Sequence, residues 1–343
     1  MENKIMRHIF ILCLMALCLA GCKQRTNQQW NEANGKVKVL TTLAMISDMV
    51  KEIGAEHVDV ETLIRGELDP HSYELVKGDD EKFIHAQLVF YNGLGLEHSL
   101  SLRQKLEEHQ NSYSVTEAIL NEEPCLLLHF ENQYDPHVWM DITLWMRTIK
   151  TIAQRLCEVD PAHAEFYQTR SRELYNRLEN ADREIYQIMQ SIPADRRFLI
   201  TSHDAFHYFT RRYLAMPNEL QWRERCAAPE GLAPDAQLSI TDIYDILNLI
   251  EKHRVKVLFP ESNVSKDALK KIMRAAQERG CPISLSTRPL YGDTMGEAEN
   301  YLEMVFHNAE VISEEIMQSY EDNANSLIKS PSSEQDIGME NEG

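Results

Sequence analysis

From Pro161 to Met189 the chain runs without an internal glycine or proline. Phe166, Leu174, Leu178, Ile185 and Ile188 recur along it at mostly helical intervals, so the segment reads as one helix. At ~1.5 Å rise per residue, roughly 28 residues span about 42 Å, enough to cross a whole domain face. Asp160 is placed to cap this helix and Pro161 to sit in its first turn. The apolar positions do not keep a strict heptad, which argues for a rigid connector within one chain rather than a coiled-coil dimer. The segments on either side must then fold as two bodies joined by a strut.

Both bodies alternate strands with helices. In the first, Val37 to Thr41 is β-rich, Ile46 to Ile53 has helical spacing closed by Gly54, and His57 to Leu63 alternates as a strand. A helix near Asp80 to Ala86 precedes the buried strand Leu88 to Tyr91. In the second, Arg197 to Thr201 is a strand, Asp204 to Leu214 a helix and Ile240 to His253 another. Strand Val255 to Phe259, helix Lys266 to Arg279, a strand around Ile283 to Leu285 and helix Gly296 to Ser319 complete it. The fold class is therefore α/β: two lobes, each a parallel sheet flanked by helices, joined by one long rigid backbone helix. The expected lobes are residues 37–159 and 192–322, with the linking helix at 160–191.

The N-terminus carries an address. Lys4 and Arg7 precede an apolar run, Ile9 to Leu19, of signal-peptide length and too short to span a bilayer. Leu19-Ala20-Gly21-Cys22 follows, the lipobox of bacterial lipoproteins. Residues 1–21 are expected to be cleaved and Cys22 to carry lipid, which anchors the chain to the outer face of a membrane, in the periplasm or on the cell surface. Residues 22–36 read as a lipidated tether and 323–343 as a disordered acidic tail. Without residues 1–21 the chain keeps 33 basic and 53 acidic side chains, a net charge of −20. That balance excludes nucleic acid as a partner and favours cations. Cys125, Cys157, Cys226 and Cys281 show no CxxC spacing; a Cys226–Cys281 disulfide stays open.

Candidate chemistry begins with a repeated word. Asp-Pro-His occurs at Asp69-Pro70-His71 and again at Asp135-Pro136-His137, in a chain with only 12 prolines and 13 histidines. Proline fixes its own φ and restrains the residue before it, so each cassette presents an imidazole in a set direction, as a metal ion requires. His71 follows the second strand of the first lobe and His137 lies late in that lobe. In the second lobe His203 directly follows a strand, and Asp293 lies on the loop Pro289 to Thr294. These are strand ends, where α/β sheets bind their ligands.

The words Asp69-Pro70-His71-Ser72-Tyr73-Glu74, Asp135-Pro136-His137-Val138-Trp139, Ser202 to Phe209 and Tyr291-Gly292-Asp293-Thr294 together resemble a known family. It is the TroA/ZnuA-like metal-binding solute-binding lipoproteins of bacterial ABC importers for zinc, manganese and iron. The likeness covers nearly the whole mature chain; Gly93-Leu94-Gly95-Leu96-Glu97 and Pro229-Glu230-Gly231-Leu232 agree as well. It implies that His71, His137, His203 and Asp293 hold one divalent transition-metal ion in the interlobe cleft. It also implies an ABC-importer permease as partner, a monomer, and a carrier rather than an enzyme. Three imidazoles and a carboxylate suit zinc, iron or manganese, not calcium or magnesium. Glu261 is a candidate to orient a histidine N–H from behind. The approach to the second ligand, 121–134, contains only His129 and lacks the His-rich loop of zinc-dedicated relatives, whereas His203 favours zinc over manganese, so the ion stays open. Two other classes are weighed: a metal-dependent hydrolase, for which no His-Glu-x-x-His word is present, and a surface adhesin, supported only by anchor and charge.

Overall fold

The computed structural model describes residues 30, 32–130, 132–234 and 240–329, with residues 240 and 321–329 described by backbone alone. The export signal, Cys22 and the tail from residue 330 lie outside the described residues. The first lobe runs β1 (Val37–Thr41), α1 (Ala44–Gly54), β2 (Val58–Thr62), α2 (Asp79–His85), β3 (Leu88–Tyr91), α3 (Leu100–Glu108) and β4 (Ser112–Ser114). Its four strands pair in parallel in the order β2-β1-β3-β4. β1 is buried along its whole length, as expected of an inner strand covered by helices on both faces. Its one charge, Lys38, bonds Asp59 of β2 at 2.7 Å and lies beneath the ring of Trp30. Trp30 is fully buried and donates to the Asp59 carbonyl, so the chain is already docked on the lobe within the expected tether.

Helix α1 buries Met45, Ile46, Met49, Val50 and Ile53 against the sheet. Gly54 does not close it in a left-handed conformation; φ there is −86°, and Ala55 takes the positive φ. What requires glycine at 54 is close approach, because a Cβ would sit 2.2 Å from Val58 Cγ1.

The lobe ends with α4 (Glu117–Glu122), the hairpin β5 (His129–Phe130) and β6 (Gln133–Tyr134), α5 (Ile142–Trp145) and α6 (Thr148–Val159). The strut follows as α7 (Ala164–Ser191), 28 residues that bury Tyr167, Leu174, Leu178, Ile185 and Met189. It begins later than the sequence implied. Pro161–His163 forms a separate 3₁₀ turn, and the Asp160 carboxylate accepts from His163 Nδ1 and Tyr167 Oη instead of capping backbone amides.

The second lobe runs β7 (Leu199–Ile200), α8 (His207–Phe209), β8 (Cys226–Ala227), α9 (Ile240–His253), β9 (Val257–Leu258), α10 (Asp267–Glu278), β10 (Ser284–Leu285) and α11 (Tyr301–Lys329). β7 pairs with β8 and β9 with β10, all in parallel, and Phe259 N–H donates to the Ile200 carbonyl to join the pairs. The helix expected from Asp204 starts only at His207 and continues as a π turn, Thr210–Leu214. The last helix starts at Tyr301, not Gly296, where φ is +55° and a Cβ would strike the Tyr291 ring. It extends to Lys329, so 323–329 are helical rather than tail. Cys125, Cys157, Cys226 and Cys281 are free thiols, which leaves Cys226 and Cys281 unbridged.

One apolar core is continuous through the first lobe, α7 and the near side of the second lobe; a smaller one fills the far side of the second lobe. Separating the lobes would therefore expose packed apolar surface, at a cost of about 25 cal/mol per Å². The lobes cannot swing freely on their strut.

Candidate metal centre

The cleft between the lobes gathers His71, His137, His203 and Asp293, all buried, with donor atoms within 4.8 Å of one another. His71 comes from the loop after β2, His203 follows β7 and Asp293 follows β10; His137 follows the β5–β6 hairpin, its Pro136 carbonyl held by Asn92 Nδ2 beyond β3. His71 Nε2 and His137 Nε2 lie 3.2 Å apart. Asp293 reaches His203 Nε2 at 3.1 Å, His137 Nε2 at 3.3 Å and His71 Nε2 at 3.7 Å. An ion about 2.1 Å from each of four tetrahedral donors sets them about 3.4 Å apart, so this constellation fits one transition-metal ion. Both Asp293 oxygens and His203 Nε2 are buried without a hydrogen-bond partner, an expensive arrangement unless a cation takes them.

The two identical cassettes share one backbone device and then diverge. In each, the aspartate Oδ1 accepts the amide N–H of the histidine two residues on, at 2.9 Å for His71 and 3.0 Å for His137. Asp135, fully buried, also accepts from the His137 ring, with Nδ1 2.7 Å from Oδ1, and its Oδ2 lies 3.2 Å from His207 Nδ1 of the second lobe. Asp69 instead spends Oδ2 on the Ser72 hydroxyl and leaves the His71 ring alone. With Nδ1 so engaged, His137 aims Nε2 at the cleft.

Glu261 does the corresponding work in the second lobe. Its Oε1 accepts the Ser202 and His203 amides, and Oε2 lies 2.8 Å from His203 Nδ1 as an ion-pair contact rather than an aligned hydrogen bond. Gly292 makes room for it, since a Cβ there would come 2.0 Å from Glu261 Oε2 and 3.3 Å from His203 Cε1.

Burial opposes charge on His137, but Asp135 and Asp293 outweigh it and lift the imidazole to about 9. His203 is raised well above its ordinary value, where burial is overcome by Glu261 and Asp293. Asp293 is held well below the carboxylate range by His203, His71 and His137 despite its burial. Asp135, with His137 and His207 overcoming burial, falls to about 2.

The cleft is also cross-braced. Trp139 Nε1 donates to the Gly292 carbonyl, Tyr301 Oη to the Trp139 carbonyl, and Tyr208 Oη to the Asp135 carbonyl. Every sequence-expected site residue within the described region thus falls in one place, whereas the parts played by Asp135, His207, Trp139 and Gly292 emerge only from the geometry. The Asp-x-His spacing was the available signal for Asp135, but the same spacing at Asp69 gives a different result.

Residues 39–315 match the family model described as "ZnuA: Zinc-uptake complex component A periplasmic". "Metal-binding protein YtgA" of Chlamydia pneumoniae is 38% identical over 91% of this chain and 94% of its own length. "Manganese-binding lipoprotein MntA" of Bacillus subtilis (31%; 81% and 87%) and "Zinc-binding protein TroA" of Treponema pallidum (31%; 90% and 98%) are similar along most of their lengths too. Among solved structures, Fe(III)-bound YtgA from Chlamydia trachomatis superposes with a TM-score of 0.78 at 39% identity, covering 82% of this chain and 98% of that one.

Proposed function

Because the chain belongs to the ZnuA family of metal-uptake solute-binding proteins, we propose that it captures one transition-metal ion between its lobes and delivers it to an ABC permease. His71, His137, His203 and Asp293 are the ligands in this reading, and the observation that carries it is the convergence of four buried donors with Asp293 otherwise unpartnered. Relatives named for manganese and zinc, and a YtgA structure holding Fe(III), support an ion of that class. Imidazole-rich donor sets hold such ions by ligand type and geometry.

Asp135 and Glu261 act behind the ligands. Each holds a ring through Nδ1, so Nε2 is directed to the ion and the ring need not be ordered when the ion arrives. Capture brings the lobes' ligand loops together with a small shift, since the shared core and Trp139 brace them. Release at the permease withdraws Asp293 with its loop. A carrier is favoured over a metal-dependent hydrolase because four buried protein donors suffice for a complete tetrahedral set, whereas catalysis needs an open position for water and a base.

The lipobox supports anchoring through Cys22 on the extracytoplasmic side, beside the permease. Among the described residues no helix is long and apolar enough to cross a membrane. Native mass spectrometry with and without a chelator tests the reading. One ion per chain, lost in Asp293→Ala and without accompanying hydrolase activity, is expected. An ion retained in full by that variant would sink it.

A further inference from the structure

His98 lies outside the four-donor set and outside every motif named above. It is exposed, and its ring centre is 6.3 Å from that of His71. Within the buried set the His71 and His203 rings stand 6.1 Å apart, so His98 sits as near to His71 as one intended ligand does to another. His71 is also the ligand at the edge: its side chain keeps 4% of its exposure while those of His137, His203 and Asp293 keep none. His71 is thus the donor nearest the surface, and His98 stands beside it.

Two further features distinguish this pair. His137 and His203 each have a carboxylate at Nδ1, whereas none of the described carboxylates pairs with Nδ1 of His71. The His71 ring therefore lacks the carboxylate that fixes the other two rings through Nδ1. His98, by contrast, hangs on a braced loop. Buried Glu97 accepts the Asn92 and Gly93 amides and the Thr42 hydroxyl, Leu96 N–H donates to the Gly93 carbonyl, and His98 N–H donates to that of Leu96. Gly93 permits this turn at φ +85°, where a Cβ would strike Ser114 Oγ.

We propose that His98 and His71 form a second, transient transition-metal site at the mouth of the cleft, a staging post through which the ion is loaded and released. This rests on the four-residue cleft being the ion's destination. A hydrated ion exchanges one water for each imidazole nitrogen it gains, so His98 takes the first water and His71 the second before the ion is enclosed. Still held by His71, whose Nε2 already faces the cleft, the ion then gains His137, His203 and Asp293 as it leaves His98. Imidazole donors choose the same transition metals as the buried set and pass over calcium and magnesium.

The test is stopped-flow loading of the purified soluble chain with Co²⁺, read by quenching of Trp139, whose ring lies 5.2 Å from His137. Release into excess EDTA is followed the same way. His98→Ala, an exposed substitution whose fold is checked by circular dichroism, is expected to slow association by about tenfold and release by the same factor. An unchanged association rate overturns the staging site. Weakened binding with unchanged association overturns it too, because His98 would then belong to the loaded site. If the unsubstituted chain takes up no stoichiometric Co²⁺, the four-residue reading fails instead, and the two failures are distinct.

Discussion

Replacing Asp135 with asparagine and, separately, Asp69 with asparagine sets two identical tripeptides against each other. Asp135→Asn keeps size and an acceptor for the His137 amide, but removes the charge that holds the ring proton on Nδ1 across a 2.7 Å contact. Carboxylates that orient a metal-bound histidine are worth about 10- to 100-fold in metal affinity. At about 1.4 kcal/mol per tenfold, that is about 1.4–2.8 kcal/mol. The upper half of that range is expected, because Asp135 is fully buried and its other oxygen also faces His207. Asp69→Asn touches no ring, only the His71 amide and the Ser72 hydroxyl at a partly exposed turn, so the affinity should fall by no more than about threefold, within ~0.7 kcal/mol. Competition titration of Zn²⁺ against a chromophoric chelator measures both. Equal losses in the two variants, or a larger one in Asp69→Asn, would refute the claim that ring orientation by Asp135 sets the affinity.

Burial of charged imidazoles gives a pH signature. With His137 at about 9 and His203 well above its ordinary value in the ion-free protein, both rings must shed a proton to ligate. Calorimetry at pH 7 in buffers of differing ionisation enthalpy should find about two protons released per ion, with affinity falling as pH is lowered; none released would contradict these shifts. Because the folded value for His137 lies above the unfolded one, its contribution to stability is complete below about 6.5 and is lost as pH rises through about 9. The melting temperature of the ion-free chain should therefore fall across that window, and a rise would oppose the assignment. Gly292→Ala should displace Glu261 and lower metal affinity by about tenfold or more with the fold retained, measured by the same titration; an unaffected affinity would mean the Glu261–His203 contact is dispensable.

The architecture was legible where pattern and length agreed. The Gly- and Pro-free stretch gave the strut, and the alternation from Val37 to Tyr91 gave β1 to β3 of the first lobe, though not their order in the sheet. The second lobe was harder, because its strands pair over only two residues each and β8 is too short to carry a pattern of its own. The Gly296 start of the last helix was misplaced because sequence cannot show that Gly296 lies against the Tyr291 ring. At the site, the repeated Asp-Pro-His word and the strand-end positions of His71, His203 and Asp293 marked candidates, and the family resemblance implied the set of four. What sequence could not supply was depth: Asp69 and Asp135 are the same word, and only burial and the approach of His207 from the other lobe make one of them a partner of its ring. Gly292 likewise reads as a turn residue until Glu261 is seen occupying the space its side chain would need.

X-ray absorption of the zinc-loaded chain tests the central claim most directly. Four to five nitrogen or oxygen neighbours at about 2.0–2.2 Å, with multiple scattering from three imidazoles, are expected for His71, His137, His203 and Asp293. A sulfur neighbour at about 2.3 Å, which would come from one of the free cysteines, or fewer than three imidazoles, would place the ion elsewhere.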